Sequence, residues 1–101
     1  MTVAGEKLLR QFYGQHHVAE KPLRTWLTLM KANQARNLPE LKRTFGSVDY
    51  VPVGNRERYI FNIGGNKYRL VAQVDYKLQT VLIRHVLTHQ EYDRGDWRKN
   101  P

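Results

Sequence analysis

The sequence predicts an α+β fold in which two N-terminal helices pack on one face of a small antiparallel sheet of three to four strands. Apolar residues recur at helical spacing in the first third of the chain, and the hydrophobic period changes to two from Arg58 onward. A short helix is expected to follow the last strand. With 101 residues, 41% of them hydrophobic, the chain is expected to form a single domain, residues 1–101, around a modest core.

Two amphipathic helices account for the first third of the chain. The first is predicted over residues 4–17 and places three apolar residues on one stripe: Leu8, Leu9 and Phe12. The second begins near Pro22, which suits a first helical turn because its missing N–H would have no helical partner there. Its core-facing residues follow at i, i+3, i+4 and i+7: Leu23, Trp26, Leu27 and Met30. A short third helical turn is expected at residues 38–41.

Strands are predicted after a polar connection that covers residues 46–57. Residues 50–53 can add a short edge strand, because Pro52 is tolerated only where no neighbour needs its N–H. Gly64-Gly65 separates two alternating runs and predicts a two-residue hairpin turn, since glycine accepts positive φ. The three main strands are predicted at 58–63, 67–75 and 80–88.

Basic residues occupy the sheet face that points away from the helices. Two-residue turns would place Asn62 opposite Lys67 and Val71 opposite Arg84, with Arg69 diagonal to Arg84. A one-residue slip would instead bury these charges against the helices. Arginine binds phosphate well because its planar guanidinium makes bidentate contacts. These residues are therefore candidates for phosphate binding, or else ordinary solvent-facing residues of an open sheet.

A compact polar cluster follows the third strand. His89, Tyr92 and Asp93 stand at spacings of 0, 3 and 4, which brings them to one side of a helical turn. An imidazole exchanges protons near neutral pH, and metal-free RNA cleavage needs a base for the 2′-hydroxyl, cations for the transition state and an acid for the 5′-oxygen. A capping aspartate and a packed tyrosine are the alternative interpretation of the same residues.

The composition favours a polyanionic partner. Lys and Arg number 17 against 9 acidic residues, for a formal net charge of +8, and each cation that meets a phosphate releases condensed counterions. The chain has no cysteine, which excludes disulfides and thiolate metal sites and fits a reducing cytoplasm. We expect no metal, no cofactor, no signal peptide and no membrane partner.

The runs FNIGGNKYRLVAQV and IRHVLTHQEYD resemble the HigB toxins of bacterial type II toxin–antitoxin pairs. The resemblance covers residues 4–97, and its specific part is 58–93. It implies a RelE-like fold and an endoribonuclease, or mRNA interferase, that cleaves messenger RNA on the translating ribosome. The resemblance also implies that a helix-turn-helix antitoxin, encoded beside the toxin, neutralises it. The toxin would contact operator DNA only through this antitoxin.

The resemblance also implies roles for single residues. Arg69, in the YRLV strand, matches a phosphate-contacting arginine, and Arg84 in LIRHV matches a second cation of the catalytic site. His89 would be the principal acid or base, Tyr92 its partner or a stacking residue, and Asp93 the group that orients His89. Further RNA contacts are expected from four residues: Asn62, Lys67, Arg58 and Arg56.

Two other functions fit the same features. One is a non-catalytic regulatory module that holds RNA or DNA on the basic face. The other is a ribonuclease that cuts free RNA without the ribosome. Loss of cleavage with retained affinity on replacing His89 would distinguish a nuclease from a binding module.

Overall fold

The computed structural model describes residues 1–101 and confirms the α+β class, with a helical layer on one face of a five-stranded sheet. The helices are α1 Glu6–Gln15, α2 Glu20–Ala32, α3 Leu38–Thr44 and α4 His89–Arg94, with 3-10 turns at His17–Ala19 and Asp96–Lys99. The strands are β1 Thr2–Ala4, β2 Asp49–Val53, β3 Arg56–Ile63, β4 Tyr68–Asp75 and β5 Thr80–Thr88. None of the helices is long and apolar enough to cross a bilayer.

The sheet has the strand order β1-β5-β4-β3-β2 and is mixed, because β1 runs parallel to β5 with Val3 beside Val81. The sequence did not predict β1, since three residues are too few to show a period of two. The first helix consequently begins at Glu6, after Gly5 at φ 93°, and not at residue 4. At the other edge β2 tolerates Pro52, as predicted.

The main core lies between the helices and the sheet. Leu23, Trp26 and Met30 of α2 are buried, as their spacing predicted. Phe61 of β3 meets them, with its ring centroid 5.4 Å from Trp26 and 5.1 Å from Phe45 in edge-to-face arrangements. This core packs the helices against one face of the sheet.

A second apolar cluster lies on the opposite face of the sheet. Ile60, Val71 and Trp97 are buried together, and Leu87 and Tyr92 pack against them in part. Trp97 belongs to the segment after α4. This segment therefore covers part of the sheet face that points away from the helices, where the sequence predicted no covering element. That segment brings α4 next to the ends of β4 and β5.

The first hairpin has a four-residue loop, not the predicted two-residue turn. Ile63 pairs with Tyr68 and Asn62 with Arg69, so Lys67 lies in the loop and does not face Asn62. Gly64 and Gly65 both adopt positive φ, at 62° and 68°. Because the register moves by two residues, Arg69 stays on the predicted face.

The second hairpin contains a β-bulge. Asp75 pairs with Thr80 as expected, but the register shifts between Val71 and Ala72, and Val71 pairs with His85 in place of Arg84. Arg84 is the extra residue of β5, and a bulge of this kind redirects the side chains beside it. Strict alternation in the sequence gave no sign of this insertion.

Candidate active site

Arg69 is fixed in place by the loop that precedes its strand. Its Nη2 donates to Oδ1 of Asn66 at 2.6 Å, while Nη1 donates to the main-chain oxygens of Asn66 at 3.2 Å and Tyr68 at 3.1 Å. The residue is only 9% exposed. A guanidinium held at several donors presents its remaining N–H groups in one direction, which suits a phosphate oxygen.

Helix α4 owes its position to a capping box. Thr88 Oγ1 accepts from the main-chain N–H of Glu91 at 3.1 Å, and Glu91 Oε1 accepts from that of Thr88 at 2.8 Å. The main-chain N–H of His89 also donates to the carbonyl of Lys67 at 3.0 Å. The helix that carries the candidate acid–base residues is therefore joined to the loop that carries Asn66.

His89 and Asp93 form the predicted pair on α4. His89 Nδ1 lies 2.7 Å from Asp93 Oδ2, and the two side chains are 42% and 58% exposed. When Nδ1 carries the proton and donates to the carboxylate, Nε2 is left as the acceptor nitrogen. The pair is accessible to a large substrate, and its geometry suits general acid–base chemistry.

Tyr92 connects α4 to Arg69. The Arg69 Cζ lies 5.8 Å from the centroid of the Tyr92 ring, a cation–π distance. The same ring also stacks on Trp97, with centroids 5.4 Å apart and planes at 14°. Trp97 Nε1 donates to the Tyr92 carbonyl at 3.3 Å. The tyrosine ring thus contacts both a cation and a buried indole.

A second basic cluster lies under the C-terminal residues. The Nε atoms of Arg58 and Arg84 donate to the Pro101 carbonyl at 2.7 and 3.1 Å. His85 Nε2 is 2.8 Å from the Asn100 carbonyl. Burial lowers the pKa of Arg58, and the nearby charges of Arg84 and Arg56 lower it further.

The structure divides the predicted site residues into two groups. Arg69, Tyr92, His89 and Asp93 lie together at the hairpin end of the sheet, next to two of the expected RNA contacts, Asn62 and Lys67. Arg56, Arg58 and Arg84 form the other group. Arg58 contacts Gln73, four residues along β4 from Arg69, which is about 13 Å at about 3.3 Å per residue. Arg84 Nε shares the Pro101 oxygen with Arg58 Nε, which places the Arg84 side chain in this second group.

Sequence reasoning missed Asn66 and Trp97. A two-residue turn at Gly64-Gly65 would place Asn66 opposite Ile63, and only the longer loop lets the Asn66 side chain reach Arg69. Trp97 stands five residues after Tyr92, and the positive φ of 79° at Gly95 turns the chain so that the two rings stack. The Tyr92–Trp97 spacing and the intervening glycine were the available signal.

Comparison with known proteins identifies a family and several relatives of this chain. A family model described as HigB_toxin, RelE-like toxic component of a toxin-antitoxin system, matches residues 19–95. The chain is 45% identical over 53 residues to the mRNA interferase toxin HigB of Escherichia coli (strain K12), covering 52% of this chain and 50% of that protein. The mRNA interferase HigB of Shigella flexneri gives the same identity and coverage. That of Escherichia coli O6:H1 is 27% identical over 55 residues, 54% of this chain and 52% of that protein.

These relatives are matched over about half of their length. The family match, by contrast, extends from the end of the first helical region through α4, and so includes Arg69, His89 and Tyr92. On that match the chain belongs to the HigB toxin family, the RelE-like toxic components of toxin–antitoxin systems.

Proposed function

We propose that this protein is the toxin of a type II toxin–antitoxin pair and an endoribonuclease that cleaves messenger RNA on the translating ribosome. The observation that carries the proposal is the accessible His89–Asp93 pair, next to a Tyr92 ring that faces Arg69. The family match and the relatives named mRNA interferase support it.

His89 and Arg69 would divide the chemistry between them. His89 Nε2, with Nδ1 directed at Asp93, takes the proton of the 2′-hydroxyl or returns one to the leaving 5′-oxygen. Arg69 stabilises the extra negative charge on the phosphate as the new bond forms, and its fixed position avoids the cost of ordering it during reaction. These roles need no metal ion.

Tyr92 supplies either a second proton-transfer group or a stacking surface for a base. Its hydroxyl lies on the helix that carries His89, and its ring already packs against an indole and a guanidinium. Base stacking on aromatic rings tolerates any sequence. Tyr92→Phe distinguishes the two roles, because it keeps the ring and removes the proton.

The second basic cluster, of Arg56, Arg58 and Arg84, would hold the message on one side of the cut. Arg56 is exposed, whereas Arg58 and Arg84 are bound to the carbonyl of Pro101. Arg84 therefore becomes a direct phosphate contact only if residues 100–101 move. We propose it, with Arg58, as a supporting cation that acts after that displacement.

Dependence on the ribosome follows from the openness of the site. In-line attack by the 2′-oxygen needs a bent backbone, and a His89 side chain on an exposed surface cannot bend a flexible strand by itself. The decoding site would present the message already bent. The proposed partners are accordingly the ribosome with its message, and a helix-turn-helix antitoxin that alone reaches operator DNA. The proposed location is the cytoplasm.

Cleavage of a defined message by purified protein tests the proposal. Wild type, His89→Ala and Arg69→Ala are added to programmed ribosomes and to the same RNA alone, and cuts are mapped by primer extension. His17→Ala, which replaces an exposed histidine in the 3-10 turn before α2, is the matched control. We expect cuts only on ribosomes, and only from wild type and His17→Ala.

The alternatives predict different results. Cuts in free RNA would indicate a ribosome-independent ribonuclease. Binding without any cut, with His89→Ala behaving as wild type, would indicate a non-catalytic module and overturn the proposal.

A further inference from the structure

The outer side of α2 carries a groove that meets the proposed nuclease site only at one end, through Asn62 and Lys67. The groove has a volume of about 590 Å³ and runs between α2 and the β3–β4 loop. A Cβ at Gly64 would lie 3.7 Å from Pro22 Cγ, so the loop closes one end of it. Six of its 13 lining residues are hydrophobic.

The apolar residues of this groove are unusually accessible. Val18 is 67% exposed and Leu29 is 42% exposed, and both line it. Leu29 also lines two neighbouring grooves, and it is the one hydrophobic residue of the groove that follows α2 toward Glu20. Val18, in the 3-10 turn before α2, and Leu29, on α2, thus expose aliphatic side chains in one groove, and an exposed apolar patch is a candidate surface for a partner.

Trp26 supplies an independent observation. The residue lines the groove and is buried, yet its Nε1 has no hydrogen-bond partner. An indole N–H in that state is rare, because a buried donor without an acceptor is costly. The Nε1 atom is itself buried, so an acceptor on an occupant would reach it only if the groove floor opened.

The charges around the groove select its occupant. Lys21 and Lys67 are the charged residues that line it, and no acidic residue does. RNA would gain little from exposed aliphatic side chains, and a second copy of this chain would bring a surface of net charge +8 against these lysines. An amphipathic segment with acidic residues beside its apolar face fits both features.

We propose that this groove binds an acidic amphipathic helix of the antitoxin. The inference rests on the proposed function, which makes an antitoxin the partner of this chain. Helix α2 has 13 residues, about 20 Å at about 1.5 Å per residue, which offers room for a packed helix of similar length.

The position of the groove explains how such a partner would inhibit. Gly64, Gly65 and Lys67 line it, and between them Asn66 holds Arg69. A bound helix covers Lys67, an expected RNA contact, and presses on the loop that positions the candidate catalytic arginine. Antitoxin and message therefore compete for one end of the protein.

Calorimetry with the antitoxin encoded beside this chain tests the proposal. Val18→Asp and Leu29→Asp place carboxylates in the groove, and each should weaken binding by roughly 10-fold or more, the value of one buried aliphatic side chain. Leu78→Asp is the matched control, since Leu78 is 69% exposed on the β4–β5 turn. It should bind as wild type does.

Cleavage on programmed ribosomes is measured in parallel without antitoxin. This measurement separates a failure of the proposed nuclease function from a failure of antitoxin binding at the groove. The proposal expects Leu29→Asp to cleave as wild type and to escape neutralisation. If both groove variants bind the antitoxin as tightly as wild type does, the proposal is overturned. The same holds if these variants bind ribosomes more weakly while their affinity for the antitoxin is unchanged. A wild type that cleaves no message would overturn the nuclease assignment, whatever the antitoxin binds.

Discussion

Asn66 holds Arg69 through both its side chain and its main chain. Arg69 Nη2 donates to Asn66 Oδ1 at 2.6 Å, and Nη1 donates to the Asn66 carbonyl at 3.2 Å. The contact spans three residues of a loop whose two glycines have positive φ. A turn residue thereby sets the direction of the cation at the centre of the candidate site.

Asn66→Ala should impair catalysis more than binding. It removes the side-chain acceptor and leaves Arg69 in place but less directed, so kcat should fall about 10- to 100-fold, the equivalent of one hydrogen bond to a charged group. KM should change little. Multiple-turnover cleavage at varied concentrations of programmed ribosomes measures both quantities.

Asn55→Ala is the control, because Asn55 is an exposed turn residue between β2 and β3. A loss of affinity with unchanged kcat in Asn66→Ala would show that Asn66 contacts the RNA itself and does not act through Arg69.

Thr88→Ala should loosen α4. The change removes the hydroxyl that accepts from the main-chain N–H of Glu91, and keeps the hydrogen bond from the main-chain N–H of residue 88 to the Glu91 carboxylate. We expect the free energy of unfolding to fall by about 1 kcal/mol. Because His89 and Tyr92 lie on this helix, cleavage should fall beyond the loss of folded protein. Urea denaturation and cleavage at saturating folded protein measure the two effects.

Thr88→Ser keeps the hydroxyl and should restore both stability and cleavage. Normal cleavage by a destabilised Thr88→Ala would mean that the order of α4 does not limit the reaction.

The helices were predictable because their stripes are long. Four apolar residues at helical spacing identified the buried side of α2, whereas the three residues of β1 carry no comparable pattern. The strand faces were also predictable, because the alternation of β3 and β4 survives a register error of two residues. Loop length and the bulge at Arg84 depend on backbone geometry that alternation does not record.

The candidate site divides in the same way. The contact between His89 and Asp93 follows from i, i+4 spacing on one helix, and the structure has it at 2.7 Å. The contact of Arg84 with Pro101 does not, because it depends on where the C-terminal residues cross the sheet. Local spacing could therefore predict half of the site, and the tertiary path of the chain fixes the rest.

Arg56→Gln should raise the melting temperature at low salt. The charge of Arg56 contributes to lowering the pKa of Arg58, after burial and Arg84, so the charged Arg58 is disfavoured in the folded state. A base whose pKa is lowered on folding opposes folding at every pH below its folded pKa, and the penalty is relieved only as the pH rises through that value. Removing a neighbouring charge should reduce the penalty throughout the neutral range.

Lys7→Gln, an exposed lysine on α1, is the control for loss of one charge. The gain from Arg56→Gln should shrink in high salt, where exposed charges are screened. A gain that is equal at all salt concentrations would argue against repulsion between Arg56 and Arg58.

Trp97→Ala should separate the support of Tyr92 from stability as a whole. It removes the indole beneath the Tyr92 ring and opens a cavity over Ile60 and Val71, at about 3 to 5 kcal/mol. Met30→Ala, on the opposite face of the sheet, carries a similar cost and serves as the control. Trp97→Phe keeps an aromatic support and loses one long hydrogen bond.

The decisive quantity is the cleavage rate per folded molecule, measured well below the melting temperature of each variant. It should fall in Trp97→Ala, stay near wild type in Met30→Ala, and recover in Trp97→Phe. Because all three variants perturb a buried site, an equal loss in all of them would trace the effect to general destabilisation. Unchanged cleavage in Trp97→Ala would mean that the stacked indole is not what holds Tyr92 beside Arg69.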